Sequence, residues 1–207
     1  MTDTSGSQSH LAYLALEQRI VTHRLAPGAL VTEKQLIELS GHGRTPVREA
    51  IQKLAWQGLV LVRPRVGLQI ADIHPDDHRQ IMAVRLRLEP LAASLVATHA
   101  NKAQRAALVE CAKAMTTAAT AGSYEAFLAA DKRFDEIVEA ACPNAFLLSA
   151  LTPLQAHSRR LWYAGATADK MDRSVSLHVA VIRAIQQGDP TEAEAAMQRL
   201  LQALSGD

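Results

Sequence analysis

The chain has few aromatic residues and almost no cysteine. Phe, Trp and Tyr make up 4% of its 207 residues, whereas alanine and leucine are abundant, and this bias favours helices over sheets. Cys111 and Cys142 lack metal-type spacing, so we interpret both as reduced, buried thiols, as is usual in the cytoplasm. No apolar run approaches the roughly 20 residues that a membrane-spanning helix needs, and the polar start MTDTSGSQSH has no signal-peptide core. The composition argues against a membrane span, a secretory signal and a disulfide scaffold.

The formal net charge is only +1, but the charges are unevenly distributed along the chain. Residues 1–71 carry eight Lys and Arg against five Asp and Glu, whereas the remainder carries fourteen against sixteen. A mildly basic segment joined to a mildly acidic one favours nucleic-acid binding by the first segment only.

The basic segment contains the pattern of two helices joined by a glycine turn. We expect a first helix from about Ser9 to Arg24, ended by the turn at Pro27-Gly28. Its predicted inner stripe comprises Leu11, Leu14, Ala15, Gln18 and Val21. Thr32 can cap a short helix over 33–39, and two glycines, at positions 41 and 43, break that helix before the next one. This is the spacing of a helix-turn-helix.

The next helix combines a basic, polar start with an apolar back. Arg44, Thr45 and Arg48 crowd its beginning, whereas Ile51, Leu54 and Ala55 form an apolar back face at i, i+3, i+4 spacing. Such a helix suits insertion into the DNA major groove. The β-branched segments 59–63 and 67–71 follow, separated by Pro-Arg-Val. They predict a small hairpin with arginines at its tip, which suits a wing that contacts the DNA backbone or minor groove.

Beyond the stretch 71–75 the chain is predicted to be entirely helical. The segments cover roughly 75–99, 102–121, 123–141, 144–164, 169–187 and 189–204. Short loops between long helices imply antiparallel neighbours in a bundle. We therefore predict a mainly α protein. It comprises a flexible tail (1–8), a winged helix-turn-helix (9–72) and an all-α antiparallel bundle of about six helices for effector binding and dimerisation (73–207).

These segments resemble the GntR superfamily of bacterial transcription regulators. The matching text is PGALVTEKQLIELSGHGRTPVREAIQKLAWQGLV, followed by the wing RPRVGLQI. The helical part resembles the FadR-type effector domain, often called FCD, through VRLRLEPLAASLVA, DKRFDEIVEAACPNAFL and SLHVAVIRAIQQGDPTEAEAAM. The resemblance implies a cytoplasmic homodimer that represses or activates transcription. Each winged helix would read half of a palindromic double-stranded DNA operator, and the helical domain would bind a small-molecule effector, often a carboxylate.

The resemblance also indicates which residues contact DNA. Carried over position by position, they are Lys34, Arg44, Thr45, Arg48 and Gly67, to which we add Arg65 from its place in the wing. An arginine can donate two hydrogen bonds to a guanine, which is worth about 1–3 kcal/mol of discrimination. The sequence departs from the usual pattern at Gly43, where similar proteins have a serine. Glycine is an adequate N-cap, but a hydroxyl contact to phosphate is lost.

The effector domain of this superfamily frequently holds a divalent metal ion. Asp131 and His178 align with its ligands, Asp135 replaces a histidine, and Leu200 stands where a final histidine is expected. Three interpretations stay open. The first is that Asp131, Asp135 and His178 hold a divalent ion, with oxygen-rich ligation favouring Mn²⁺ or Mg²⁺ over Zn²⁺ or Ni²⁺. The second is that a metal-free site binds an organic ligand directly. The third is that Asp131 pairs with an internal arginine.

Three arginines are candidates for binding an effector carboxylate. Arg85 lies four residues before Glu89, where FCD proteins carry a pocket arginine, and Arg159 or Arg160 is a second candidate. An intrahelical bridge to Glu89 is an equally good interpretation of Arg85.

Three functions compete at this point. The leading one is a ligand-responsive transcription regulator, and the second is a constitutive DNA-binding dimer whose helical domain has lost metal and effector binding. The third, an enzyme in the helical domain, lacks a nucleophile–base pair or a phosphate loop, so we expect no catalytic residues.

Overall fold

The computed structural model describes residues 7–206, which form two compact units. The first unit comprises the residues up to Pro75 together with Ala156–Ala164, and the second comprises Asp76–Gln155 and the residues from Gly165 onward. Of the predicted tail, residues 1–6 lie outside the described residues. Gln8 is the first residue of the first helix, and Ser7 caps that helix, because its side chain accepts a hydrogen bond from the His10 amide.

The first unit is a helix-turn-helix with a small sheet. Its elements are α1 (Gln8–Val21), β1 (Leu30–Val31), α2 (Glu33–Ser40), α3 (Arg44–Trp56), β2 (Val60–Arg63) and β3 (Gly67–Ile70). The predicted helices and hairpin are confirmed. The sequence did not reveal β1, whose two residues pair antiparallel with β3 and give the strand order β1-β3-β2.

Local chemistry fixes the turn between α2 and α3. Thr32 and Gln35 form a capping box at the start of α2, in which each side chain accepts a hydrogen bond from the other's backbone amide. Gly41 ends α2 with φ 71°, a left-handed conformation that costs an L side chain energy. Gly43 is the N-cap of α3 and supplies no side-chain hydrogen bond. The chain can therefore reverse between the two helices within three residues.

The predicted inner stripe of α1 is correct in part: Val21 is buried and Leu14 is partly buried against the core, whereas Leu11 and Gln18 do not belong to it. Leu11 is 38% exposed and Gln18 is exposed, whereas the helix buries Ala12, Tyr13, Leu16, Glu17, Ile20 and Val21. The reason is the burial of Glu17, whose carboxylate accepts a 2.6 Å hydrogen bond from the Tyr13 hydroxyl and lies 3.9 Å from the Arg159 guanidinium. These partners compensate a buried charge that a hydrophobic pattern treats as exposed.

The second unit is built from six helices, as predicted. They are α4 (Asp77–His99), α5 (Lys102–Thr120), α6 (Tyr124–Ala141), α7 (Ala145–Ala164), α8 (Ala168–Gln187) and α9 (Pro190–Ser205), with the last nine residues of α7 assigned to the first unit. Helix α4 packs against α9 and α8, and α5 packs against α6 and α8. Asn101, Ser123, Thr167 and Asp189 cap α5, α6, α8 and α9 with side-chain hydrogen bonds.

Two further expectations concern cysteine and membranes. Cys111 and Cys142 are both unpaired and buried, as predicted. Among residues 7–206, none of the helices combines the length and apolar character required to span a bilayer.

Candidate nucleic-acid interface and bundle interior

Helix α3 presents a basic face to solvent and an apolar face to the core. Val47, Ile51 and Leu54 are buried, and they repeat at the spacing of one helix face. Arg44 and Arg48 point the other way, with 74% and 60% of their side chains exposed, and Thr45 is exposed beside them. The predicted DNA-contacting residues of α3 therefore share one accessible surface.

An acidic residue of α2 lies against this basic face. The Nε of Arg48 is 3.0 and 2.9 Å from the two carboxylate oxygens of Glu33, and the Nε of Arg44 is 3.9 Å from one of them. Lys34, the next residue, is 87% exposed and lies 3.9 Å from Glu38. Sequence reasoning missed Glu33, because no local pattern reveals that α2 brings it to α3.

The wing carries an arginine in a strained backbone conformation and a glycine in a conformation that only glycine adopts readily. The Val66 amide donates to the Arg63 carbonyl across the turn, and Arg65 within it has φ 66°. Gly67 has φ 121°, and a β-carbon there would lie 3.6 Å from the Val31 carbonyl oxygen. Arg65 and Gly67 are exposed, so both predicted wing contacts are accessible.

Arg159 and Arg160 belong to the first unit, not to the bundle. The Arg159 guanidinium lies 3.9 Å from Glu17, and Arg160, which is 1% exposed, donates to the Ala71 and Asp72 carbonyls. That Arg159 or Arg160 binds an effector carboxylate stays a prediction. Both guanidinium groups face elements of the winged helix. The sequence did not predict this, because the whole of α7 was assigned to the bundle.

In the bundle, Arg85 forms a buried ion pair within α4. Its Nε and Nη2 donate to the two carboxylate oxygens of Glu89 at 2.6 and 3.0 Å, and both side chains are nearly inaccessible. Burial acts to lower the pKa of Arg85, but the negative charges of Glu89, Asp135 and Asp131 outweigh it, so the pKa of Arg85 is raised. This is the intrahelical bridge that the sequence offered as one of two interpretations.

His178 lies beside Asp131 in the same interior. Its Nδ1 is 2.8 Å from the Ser174 carbonyl oxygen, and its Nε2 is 3.1 Å from an Asp131 carboxylate oxygen. A carbonyl and an ionised carboxylate can only accept hydrogen bonds, so this arrangement suits a doubly protonated imidazolium. Burial acts to lower the pKa of His178, but the hydrogen bond and charge of Asp131 and the Ser174 carbonyl outweigh it, and the pKa is raised.

These residues do not fit a three-ligand metal site. Asp135 accepts a 3.1 Å hydrogen bond from the Gln155 side chain, and the position where the resemblance implies a final histidine is held by Leu200, a buried apolar residue. Over residues 7–206, three or more His, Cys, Asp or Glu side chains nowhere gather in a metal-binding arrangement. Asp131 and His178 alone leave half of the positions of a tetrahedral ion, and more than half of those of an octahedral ion, unfilled.

Two family models match the chain, one over each part. Residues 9–70 match the family described as bacterial regulatory proteins, gntR family, and residues 80–203 match the FCD domain. Together they account for nearly all of the winged helix and the helical bundle described above.

Curated relatives and solved structures agree with these matches. The chain is 29% identical over 197 residues to the "Probable D-xylose utilization operon transcriptional repressor" of Paenarthrobacter nicotinovorans, covering 95% of this chain and 86% of that protein. It is 25% identical to the HTH-type transcriptional repressor RspR of Escherichia coli, covering 93% and 85%.

Among solved structures, E. coli McbR/YncC has the same fold, with a TM-score of 0.79, 19% identity and coverage of 95% of this chain and 94% of that one. The exposed basic face of α3, the wing and the helical domain agree with the two family matches. The chain therefore belongs to the GntR family of bacterial regulatory proteins, in which it is a DNA-binding transcriptional regulator with an FCD domain.

Proposed function

We propose that the protein is a homodimeric repressor that binds a palindromic DNA operator through two winged helices and releases it in response to a small-molecule effector. The observation that supports DNA reading most directly is the shared exposure of Arg44, Thr45 and Arg48 on α3. Two relatives are named as transcriptional repressors, which favours repression over activation. The role places the protein in the cytoplasm, where bacterial DNA lies, and requires no catalysis.

Operator binding can be tested with a duplex enriched by the native protein from a random-sequence library. We expect Arg48→Ala to weaken binding to that duplex at least about fivefold, because a lost guanine contact costs about 1–3 kcal/mol. Dimerisation, measured by light scattering, should not change. Arg183→Ala, which removes an exposed arginine of α8, is the control. Equal loss of DNA binding and dimerisation in Arg48→Ala would contradict the proposal.

The proposed effector site is the charged interior around Arg85, Glu89, Asp131, Asp135 and His178. A carboxylate effector would compete with Glu89 for the Arg85 guanidinium, since Glu89 already accepts from two of its nitrogens. A sensor should gain roughly 2.7 kcal/mol of stability at a hundredfold excess of effector over its dissociation constant. A thermal-shift screen of small carboxylic acids therefore tests this part of the proposal.

A constitutive DNA-binding dimer is the second candidate. It is favoured by the completeness of the interior contacts, because Arg85 and His178 already hold protein partners in the described part of the chain. If the carboxylic acids leave both the melting temperature and the affinity for the enriched duplex unchanged, this second candidate is supported.

We further propose that the bundle works without a resident divalent metal. The support is the direct pairing of Asp131 with His178 and of Asp135 with Gln155. Elemental analysis of the purified protein should find less than stoichiometric metal, and EDTA, Mn²⁺, Zn²⁺ and Ni²⁺ should leave the melting temperature unchanged. One tightly held ion per chain would overturn this proposal.

A further inference from the structure

Glu33 is an acidic residue that lies against the two exposed arginines of α3. It is the first residue of α2, and 36% of its side chain is exposed. Its two carboxylate oxygens lie within 3.0 Å of the Arg48 Nε, and one of them lies 3.9 Å from the Arg44 Nε. One carboxylate thus touches both arginines that α3 presents for DNA.

The contact restricts how Arg48 can meet a base. A guanidinium group offers two edges for a pair of parallel hydrogen bonds, and one of these edges includes Nε. Because the Arg48 Nε donates to Glu33, the edge formed by the two terminal nitrogens is the one left for the O6 and N7 atoms of a guanine. Glu33 therefore orients Arg48 so that its two terminal nitrogens, and not its Nε, face the guanine.

The charge of Glu33 acts differently on cognate and non-cognate DNA. Non-specific binding depends on the number of phosphates that Lys and Arg neutralise. A carboxylate among Arg44 and Arg48 offsets part of their positive charge and is repelled by nearby phosphates. On a cognate site the guanine contact compensates this repulsion, whereas on other sequences nothing does.

We propose that Glu33 is a specificity-determining residue: it orients Arg48 toward guanine and weakens binding to non-cognate DNA. The inference deepens the proposed operator binding and rests on it. Glu33 is a positioning residue, because it acts through Arg48. Its effect is therefore measured as the specificity ratio, the affinity for cognate DNA divided by the affinity for non-cognate DNA.

The test compares Glu33→Gln with Glu38→Gln on two duplexes. One duplex is enriched from a random library by the native protein, and the other is an unenriched random-sequence duplex. Both substitutions remove one negative charge from α2, but Glu38 lies near Lys34 and contacts neither arginine of α3. We expect Glu33→Gln to bind the random duplex about tenfold more tightly and to steepen its salt dependence by about one unit, so that the specificity ratio falls about tenfold. Glu38→Gln should change both affinities by the same factor.

A second variant separates orientation from charge. Glu33→Asp keeps the negative charge but shortens the side chain by one methylene, so the carboxylate withdraws from the Arg48 Nε. We expect weaker binding to the enriched duplex with no gain on the random duplex. Circular dichroism and melting curves verify that each variant is folded.

The inference is overturned if Glu33→Gln and Glu38→Gln change the specificity ratio equally, or if Glu33→Gln leaves the affinity for the random duplex unchanged. Failure of the native protein to enrich any sequence is a different result, because it would overturn the proposed operator binding itself.

Discussion

At the scale of single residues, the charged residue at the wing tip, Arg65, has a strained backbone conformation. Arg65 occupies the left-handed region, which favours glycine and costs other residues about 1 kcal/mol or more. An exposed residue that is kept in such a conformation suggests that its side chain serves binding more than stability.

We expect Arg65→Gly to raise the free energy of unfolding slightly and to weaken DNA binding. The glycine relieves the backbone strain, while the loss of one cation lowers the salt slope of DNA binding by about one unit. Urea denaturation and binding at several salt concentrations measure the two effects. Arg65→Ala, which removes the charge but keeps the strain, should weaken binding without stabilising the fold. An unchanged salt slope in both variants would remove Arg65 from the interface.

The second residue-scale prediction concerns His178. Its pKa is raised in the folded protein, so its ionised form contributes stability that is fully present below the unfolded pKa of about 6.5. That contribution is lost as the pH rises through the raised, folded pKa. Compared with His178→Gln, the native protein should therefore lose stability between about pH 6.5 and the folded pKa. Denaturant melts at several pH values measure this. Parallel profiles for the two proteins would show that His178 is not an imidazolium paired with Asp131.

At the scale of elements, the start of α3 lacks a side-chain cap. Gly43 has φ −70°, an ordinary value, and a β-carbon there would meet only Pro46 atoms at 4.0 Å. Gly41, two residues earlier, has open space around it but φ 71°. The two glycines therefore have different roles: Gly41 supplies the left-handed conformation that ends α2, whereas Gly43 is the N-cap of α3.

We expect Gly43→Ser to stabilise the protein by about 0.5–1 kcal/mol, because serine caps the helix and restricts the unfolded chain. The new hydroxyl should also strengthen DNA binding if it meets a phosphate. Gly41→Ser places the same side chain in a left-handed conformation and should destabilise by about 1 kcal/mol. Thermal melts distinguish them, and the same sign of change for both would contradict this account of the turn.

At the scale of the whole molecule, the winged-helix unit is not one continuous stretch of chain. Its core includes Ala156, which is fully buried, and Arg160 donates to the Ala71 and Asp72 carbonyls. The end of α7 therefore completes a unit whose other elements lie before Pro75.

We expect Arg160→Met to destabilise the winged-helix unit by about 2–3 kcal/mol. Methionine fills part of the volume but leaves the Ala71 and Asp72 carbonyls without their charged donor. Hydrogen exchange of the full-length protein should become faster for α1 and β3. Arg133→Met, an exposed substitution on α6, is the control. Unchanged exchange in α1 and β3 would show that Arg160 does not stabilise this unit.

Most of the helices and the wing could be predicted from the sequence, because these elements depend on short-range patterns of residues. The helical spacing of Ile51, Leu54 and Ala55 predicted the apolar face of α3, and the turn glycines and Pro64 marked the helix-turn-helix and the wing. The six helices of the bundle followed from the turn residues that separate them, such as Asn101, Gly165 and Gly188.

Only the tertiary structure decided which charged residues from distant parts of the chain pair with one another. Glu17 is buried because Arg159 reaches it, Arg48 is oriented by Glu33, and Asp131 pairs with His178. The resemblance singled out Asp131 and His178 without their pairing, and the sequence gives no sign of the other two pairs, since Glu17 and Glu33 each resemble an ordinary solvated charge. The free energy of an ion pair depends on burial and geometry, which exist only once the helices have packed.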